Sequence, residues 1–237
     1  MPRDAPDRVG ESSSAQRRGV RFGVQVDLGT TGAGMAVGSG ESWQQREERR
    51  RQVAREARLM AREPAGWLPR LVLLVATVAW LAMLAWLVQT LPERVPTHWS
   101  GGGTPDGWSS RPVAVAVVVL LPLVLFFPMI WISRLVMVWP DGVNAPHKEW
   151  WLDRPRRLVR FERLLREDLM LIVAVSVLLV VGIGLIMGYA AHQPGGAVPA
   201  WWFAVLIVGY LVLLTLLVVW MYVSARYRPD DDDPELA

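Results

Sequence analysis

The chain has 237 residues, 52% of them apolar, with 13 Trp, no Cys and a formal net charge of +3. A soluble domain spreads its apolar residues through the sequence, whereas here they collect in four runs separated by strongly polar segments. The lack of Cys excludes disulfides, thiolate metal sites and thiol catalysis, and the small net charge conceals an uneven placement of Arg that says more than the total.

Residues 1–41 are rich in Gly, Ser, Arg and Asp and have no helical periodicity, so they are expected to form a disordered leader, with Met35 or Met60 as an alternative start. Within it, Asp27-Leu-Gly29-Thr30-Thr31-Gly32 is similar to the first phosphate loop of the actin and heat-shock ATPases. That fold needs two large lobes around a nucleotide, and the first apolar run begins too soon to leave room for them. The first 40 residues also lack an apolar stretch of the signal-peptide kind, so the first run is expected to be a retained anchor.

Residues 42–66 are expected to form a basic helix and its exit. Ser42 with Gln45 three residues on makes a capping box, Glu47 stands four residues before Arg51, and Pro64 with Gly66 ends the element. Val53, Ala57 and Met60 give it a thin apolar stripe, beside Arg49, Arg50, Arg51, Arg55, Arg58 and Arg62. These arginines are expected either to be solvated or to meet anionic lipid headgroups.

The membrane domain is expected over 67–223, with spans at about 67–89, 113–132, 169–189 and 200–222, since about 20 apolar residues cross a bilayer core as a helix. Pro122 and Pro128 inside the second run each remove a backbone donor and predict a kink. After Pro155, Leu158, Phe161 and Leu165 share one face and Arg156, Arg157, Arg160, Arg163 and Arg166 fill much of the rest, a pattern for a basic helix lying among headgroups. Gly184 and Gly188 form a small-residue pair that lets another helix approach, within the chain rather than across a dimer. Residues 224–237 are expected to be an acidic tail, with Asp230 to Asp233 as a solvated end. The fold class is thus an all-α integral membrane protein with four transmembrane helices.

The Arg distribution orients it. Seven Arg lie between Arg46 and Arg62, two in the loop after span one, seven with Lys148 in the loop after span two, none in the turn after span three, and two after span four. The positive-inside rule then places both termini and the basic N-terminal helix in the cytoplasm and the loop 91–111 outside.

No catalytic residues, cofactor or metal site are expected. The spans carry no Asp, Glu, Lys or His, which argues against an ion-coupled transporter, and no zinc-protease helix motif, nucleophile elbow or phosphate-binding P-loop occurs. Nothing points to a nucleic-acid partner, and the oligomeric state is open. Two loops hold the marked residues. In loop 91–111, Pro92 and Pro96 stiffen the entry, the glycines up to Gly103 allow a reversal with positive φ, Asp106-Gly107 is expected to make a second turn, and Trp99 and Trp108 are expected at headgroup level. His98 is the one group there suited to ligand or proton chemistry, although one His and one Asp make too small a metal site. In the second loop, Asn144 and Pro146 suggest a turn closed by the Asn side chain, and Trp150 and Trp151 are expected as interfacial anchors.

Together these loops resemble a bacterial membrane family catalogued as domain of unknown function 1648. Its outer pattern is matched by Leu91, Pro92, Val95, Pro96, His98, Trp99, Gly103, Asp106 and Trp108, and its second element by Asn144, Pro146, Trp150 and Trp151. Where many members carry Asn or another polar residue, this chain has Ser100-Gly101-Gly102, and its long N-terminal arm lies outside the family pattern. The family includes the immunity protein against the sporulation-delaying toxin, which also sequesters a transcriptional repressor. The resemblance therefore implies a non-enzymatic protein that resists or senses a secreted peptide through the outer loop. The alternatives are a structural or scaffold protein, or a transporter or its accessory subunit.

Overall fold

The structure, a computed structural model, describes residues 42–230 together with 232, 233 and 236. The expected leader, with its phosphate-loop-like stretch, lies outside these residues. Four helical segments are long and apolar enough to cross a membrane: Trp67–Thr90, Arg111–Met137, Pro155–Ala190 and Trp201–Val223. The chain is a mostly helical, multi-pass membrane protein.

Span one is α2 (Trp67–Thr90), following the basic helix α1 (Trp43–Leu59). Ala76, Trp80, Met83 and Leu87 recur on one face of α2, which the helical period brings together. They pack against Ala114 and Val118 of α3 (Arg111–Leu121) and against Val173, Ala174, Val177 and Val180 of α6 (Pro155–Ala190). The glycine pair works within this bundle: a Cβ on Gly184 would stand 2.5 Å from the Met83 sulfur, and one on Gly188 2.4 Å from the Trp86 ring. Span four, α7 (Trp201–Val223), packs on α6, where a Cβ on Gly182 would meet Leu206, yet none of its own side chains is buried.

The prolines of span two have a specific consequence. α3 gives way at Pro122 to a π-helical turn, Pro122–Phe126, followed by the short α4 (Met129–Ile132) and a 3-10 segment, Ser133–Met137. Pro122 has no N–H to give the carbonyl of Val118, and the Trp80 indole N–H donates to that carbonyl instead, at 3.1 Å. The break in span two thus becomes a link to span one.

Two expectations change here. The basic helix after Pro155 and the third span are one continuous α6 of 36 residues. At about 1.5 Å per residue it is far longer than a hydrocarbon core about 30 Å thick, so its arginine-rich start projects beyond that core. Instead of lying flat, it packs its apolar stripe, Leu158, Val159 and Phe161, against Val53, Ala54 and Ala57 of α1, with Val136, Trp151, Leu152 and Tyr227, in a second apolar core. α1 itself ends at Leu59, ahead of Pro64 and Gly66, and its Ser42–Gln45 capping box is formed.

The loop 91–111 is a hairpin. β1 (Arg94–Ser100) pairs antiparallel with β2 (Thr104–Ser110), with irregular register on both sides of His98. Pro96 cannot donate to the ladder, which accounts for a bulge beside it. Gly103 turns the chain with φ +78° as expected, but Asp106 and Gly107 lie within β2 rather than in a second turn. The turn between spans three and four sits at this same end of the bundle, against the hairpin.

Candidate functional site

The hairpin is seated on the bundle from both of its sides. Its root is buried: Leu91 and Val95 join the core of the spans, and Arg111 donates to the Leu91 carbonyl at 3.3 Å. At its tip the Gly103 carbonyl accepts from Val198 N–H at 2.9 Å, in the turn between spans three and four. A Cβ on Gly103 would lie 2.0 Å from the Val198 carbonyl oxygen, so both the space and the positive φ require glycine there. Trp99 donates its indole N–H to the Gly196 carbonyl at 3.2 Å and packs on Phe203 of α7. Gly196, with φ +70°, lies against Trp108, Pro105 and Pro96. His192 joins the same turn to span one through the Thr90 carbonyl, 3.1 Å from its Nε2.

On this seat one face remains open. His98 Nδ1 and Asp106 Oδ1 are 2.5 Å apart, with side chains 72% and 46% exposed. The hydrogen bond with His98 holds the Asp106 carboxyl below its ordinary range, so at neutral pH an ionised carboxylate orients the imidazole. A carboxylate partner of this kind sets the direction of a ring and leaves its other nitrogen for a ligand. Gly107 faces His98 across the ladder, where a Cβ would come within 2.7 Å of the His98 Cβ. Arg94 stands over the Trp108 ring at 5.2 Å, and Thr97 and Ser109 join hydroxyls at 3.0 Å. Among the described residues no group of three or more His, Cys, Asp or Glu is placed to hold a metal.

The residues marked in the sequence therefore divide. Pro96, His98, Trp99, Gly103, Asp106 and Trp108 come together in the hairpin, while Pro92 stands exposed just before β1. Trp99 is turned into the molecule, and Trp108 is the more exposed of the two indoles, 38% accessible. Asn144, Pro146, Trp150 and Trp151 lie at the opposite, arginine-rich end. Trp151 is not an interfacial anchor: it is 2% exposed in the second apolar core, and its indole N–H donates to the Tyr227 carbonyl at 3.2 Å. Trp150 packs edge-on to Trp151 and lies under the Arg157 guanidinium, 4.2 Å from its ring centroid. Asn144 and Pro146 border an apolar cavity of about 360 Å³ with Leu135, Phe161, Leu165 and Tyr222. The Asn144 side chain makes no hydrogen bond among the described residues, and the left-handed residue in this turn is His147, φ 55°.

Sequence reasoning missed the charged lattice that holds this end. Glu162, 1% exposed, accepts from Arg62 at 2.6 Å and from the Ser133 hydroxyl at 2.9 Å, and pairs with Arg166 at 3.3 Å. Glu167 accepts from Gly66 N–H at 2.6 Å, at the start of span one. Arg226, just past span four, reaches Asp168 at 2.6 Å and Glu167 at 2.5 Å. Tyr227 donates to Asp168 at 2.5 Å, and burial, with the Asp168 charge beside it, pushes the Tyr227 hydroxyl far above its ordinary range. The C-terminal tail returns as well: Leu236 is 4% exposed and its carbonyl accepts from Arg157 at 2.9 Å. The one available signal was three acidic residues, Glu162, Glu167 and Asp168, inside an otherwise basic amphipathic stretch.

Residues 71–126 match the model of a family described as Domain of unknown function (DUF1648). That stretch runs from the first turns of α2 through the hairpin to the π-helical turn of span two. No curated protein and no solved structure is significantly similar to the chain.

Proposed function

We propose that the chain is a non-enzymatic plasma-membrane protein of a bacterium, and that its hairpin receives a secreted, membrane-active peptide on the outer face, for resistance or for sensing. Both termini and the arginine-rich end then lie in the cytoplasm, as the Arg distribution directs. The observation that carries this reading is the seat of the hairpin. Gly103, Trp99 and Gly196 fix its backbone to a second loop while the oriented His98–Asp106 pair stays open, and a recognition loop needs just such a polar face on a rigid support. The family resemblance supplies the peptide toxin and, at the cytoplasmic end, the transcriptional repressor as candidate partners.

The test has two steps. Single cysteines at Ser100 and Arg154 are labelled in intact cells with an impermeant thiol reagent. Labelling at position 100 alone is expected; labelling at 154 alone overturns the orientation. Cells carrying His98→Ala or Asp106→Ala are then challenged with membrane-active peptides of the toxin class. Loss of protection at unchanged protein level is expected, and full protection in both variants would sink the peptide reading.

One observation favours a second reading, an accessory or scaffold subunit: α7 has no buried side chain. Crosslinking from cysteines along α7 to a second membrane protein, with His98→Ala silent, would favour that alternative.

A further inference from the structure

We propose that the arginine-rich end holds an anionic phospholipid by its headgroup phosphate, in the cavity between the end of α1, the 3-10 segment Ser133–Met137 and α6. This site is independent of the hairpin and does not rest on the peptide reading. The cavity, about 270 Å³, is bordered by Arg58, Arg62, Arg134, Met137, Val159 and Glu162.

Charge accounting, together with the apolar wall of the cavity, narrows the choice to this place. The arginine faces of α1 and α6 look like broad headgroup-binding surfaces in the sequence, but most of their charge is already neutralised. Arg49 pairs with Asp153 at 2.8 Å, and Arg50 with Asp141 at 2.6 Å and with Glu149. Arg160 and Arg163 share Glu63 at 2.8 and 3.2 Å, and Arg166 pairs with Glu162. In the cavity the one carboxylate, Glu162, is committed to Arg62, Arg166 and Ser133. Arg58 and Arg134 make no ion pair among the described residues, and both are exposed. They leave the cavity with surplus positive charge and unfilled guanidinium donors, the geometry that phosphate oxygens satisfy with two N–H groups at once.

Depth then selects a lipid. Arg134 lies near the end of span two, and its guanidinium stands 5.8 Å from the centroid of the Trp131 ring, which is 67% exposed. An exposed Trp beside an Arg at a span's end marks headgroup level, where the arginine stem lies along apolar surface and its charge reaches the phosphates. Met137 and Val159 give the cavity an apolar wall for the glycerol and first methylenes, which a free phosphate would not use. Basic pockets between helices at this level are suited to anionic headgroups, and the quaternary ammonium of phosphatidylcholine would face the arginines unfavourably.

The experiment uses the full chain in a mild uncharged detergent, with its thermal transition followed during titration with dioctanoyl phosphatidylglycerol, dioctanoyl phosphatidylcholine or glycerol 3-phosphate. A saturable rise with the phosphatidylglycerol alone is expected. Arg58→Gln and Arg134→Gln should each weaken it about fivefold, the effect of about 1 kcal/mol per basic residue near an anionic surface. Arg154→Gln with Arg156→Gln removes twice the charge of either single variant from exposed positions elsewhere and should leave the titration unchanged. Equal weakening by this control shows a diffuse field and overturns the site. An equal response to phosphatidylcholine overturns the headgroup selectivity, and an equal response to glycerol 3-phosphate overturns the lipid. If Arg134→Gln fails to fold, Arg58→Gln, in the exposed last turn of α1, decides alone.

Discussion

At the hairpin end, the contacts that set the geometry come from the backbone: the Gly103 carbonyl on Val198, the Gly196 carbonyl on Trp99, the Thr90 carbonyl on His192. Charged groups there, His98, Asp106 and Arg94, stay on the open face. At the arginine-rich end the reverse holds. Charged side chains are drawn inside, with Glu162 at 1%, Glu167 at 5% and Asp168 at 0% exposure, each held by Arg or Tyr from a distant segment. Backbone hydrogen bonds and glycine sterics fix a shape and leave a surface free to recognise something. A buried ion lattice fixes the relation between segments about a hundred residues apart, such as Arg62 with Glu162. The first arrangement suits a receptor face, the second a clamp that ties α1, α6 and the end of α7 together.

The largest effect expected from breaking this comparison lies at the clamp. Glu162→Gln leaves Arg166, 5% exposed, without its carboxylate, and stranding a buried charge costs about 3–5 kcal/mol. Denaturant unfolding of the purified chain should show the loss, while thiol labelling of Ser100→Cys should stay as in the parent, because the hairpin does not depend on the lattice. Gly103→Ala should have the opposite distribution. Its Cβ meets the Val198 oxygen at φ +78°, a backbone strain of about 1–3 kcal/mol, so amide exchange should rise through 98–106 and at Val198 with little change in α1.

A smaller effect is expected at the start of α1. Ser42→Ala removes the side-chain acceptor for Gln45 N–H, 3.2 Å away, and caps of this type contribute about 1 kcal/mol; amide exchange should rise in the first turn of α1 alone. The smallest concerns acid. The Asp106 carboxyl is lowered in the folded chain by His98, so its contribution is fully present above the ordinary carboxylate pKa of about 3.9 and is lost as pH falls through the lower, folded value. Asp106 resonances followed from pH 7 downward should therefore hold steady through mildly acidic pH and move only below the ordinary range; in His98→Ala they should move at higher pH.

Much of the membrane architecture was legible in the residues because it depends on local composition and spacing. Four apolar runs, the Pro122 break, the Ser42–Gln45 capping box, the glycine of positive φ at Gly103 and the close approach at Gly184 and Gly188 are each set by a few neighbouring residues. The residues of the hairpin predict a looser loop, because three prolines and four glycines between Leu91 and Arg111 speak against strands, and the pairing is stabilised by a turn nearly a hundred residues later. Paired Trp next to Arg is commonly interfacial, so the spacing of Trp150 and Trp151 predicts anchors, and the Tyr227 carbonyl that accepts from Trp151 cannot be inferred from that spacing.

The sequence by itself determined that this chain crosses a membrane four times and which marked residues fall on each side of the spans, because hydrocarbon requires unbroken apolar helices and charge stays at their ends. The tertiary structure alone decided that α6 is a single helix projecting beyond the core, that its arginines are mostly neutralised within the chain, and that Arg58 and Arg134 are not. Those outcomes depend on which distant carboxylate reaches which guanidinium, a relation that no local pattern encodes.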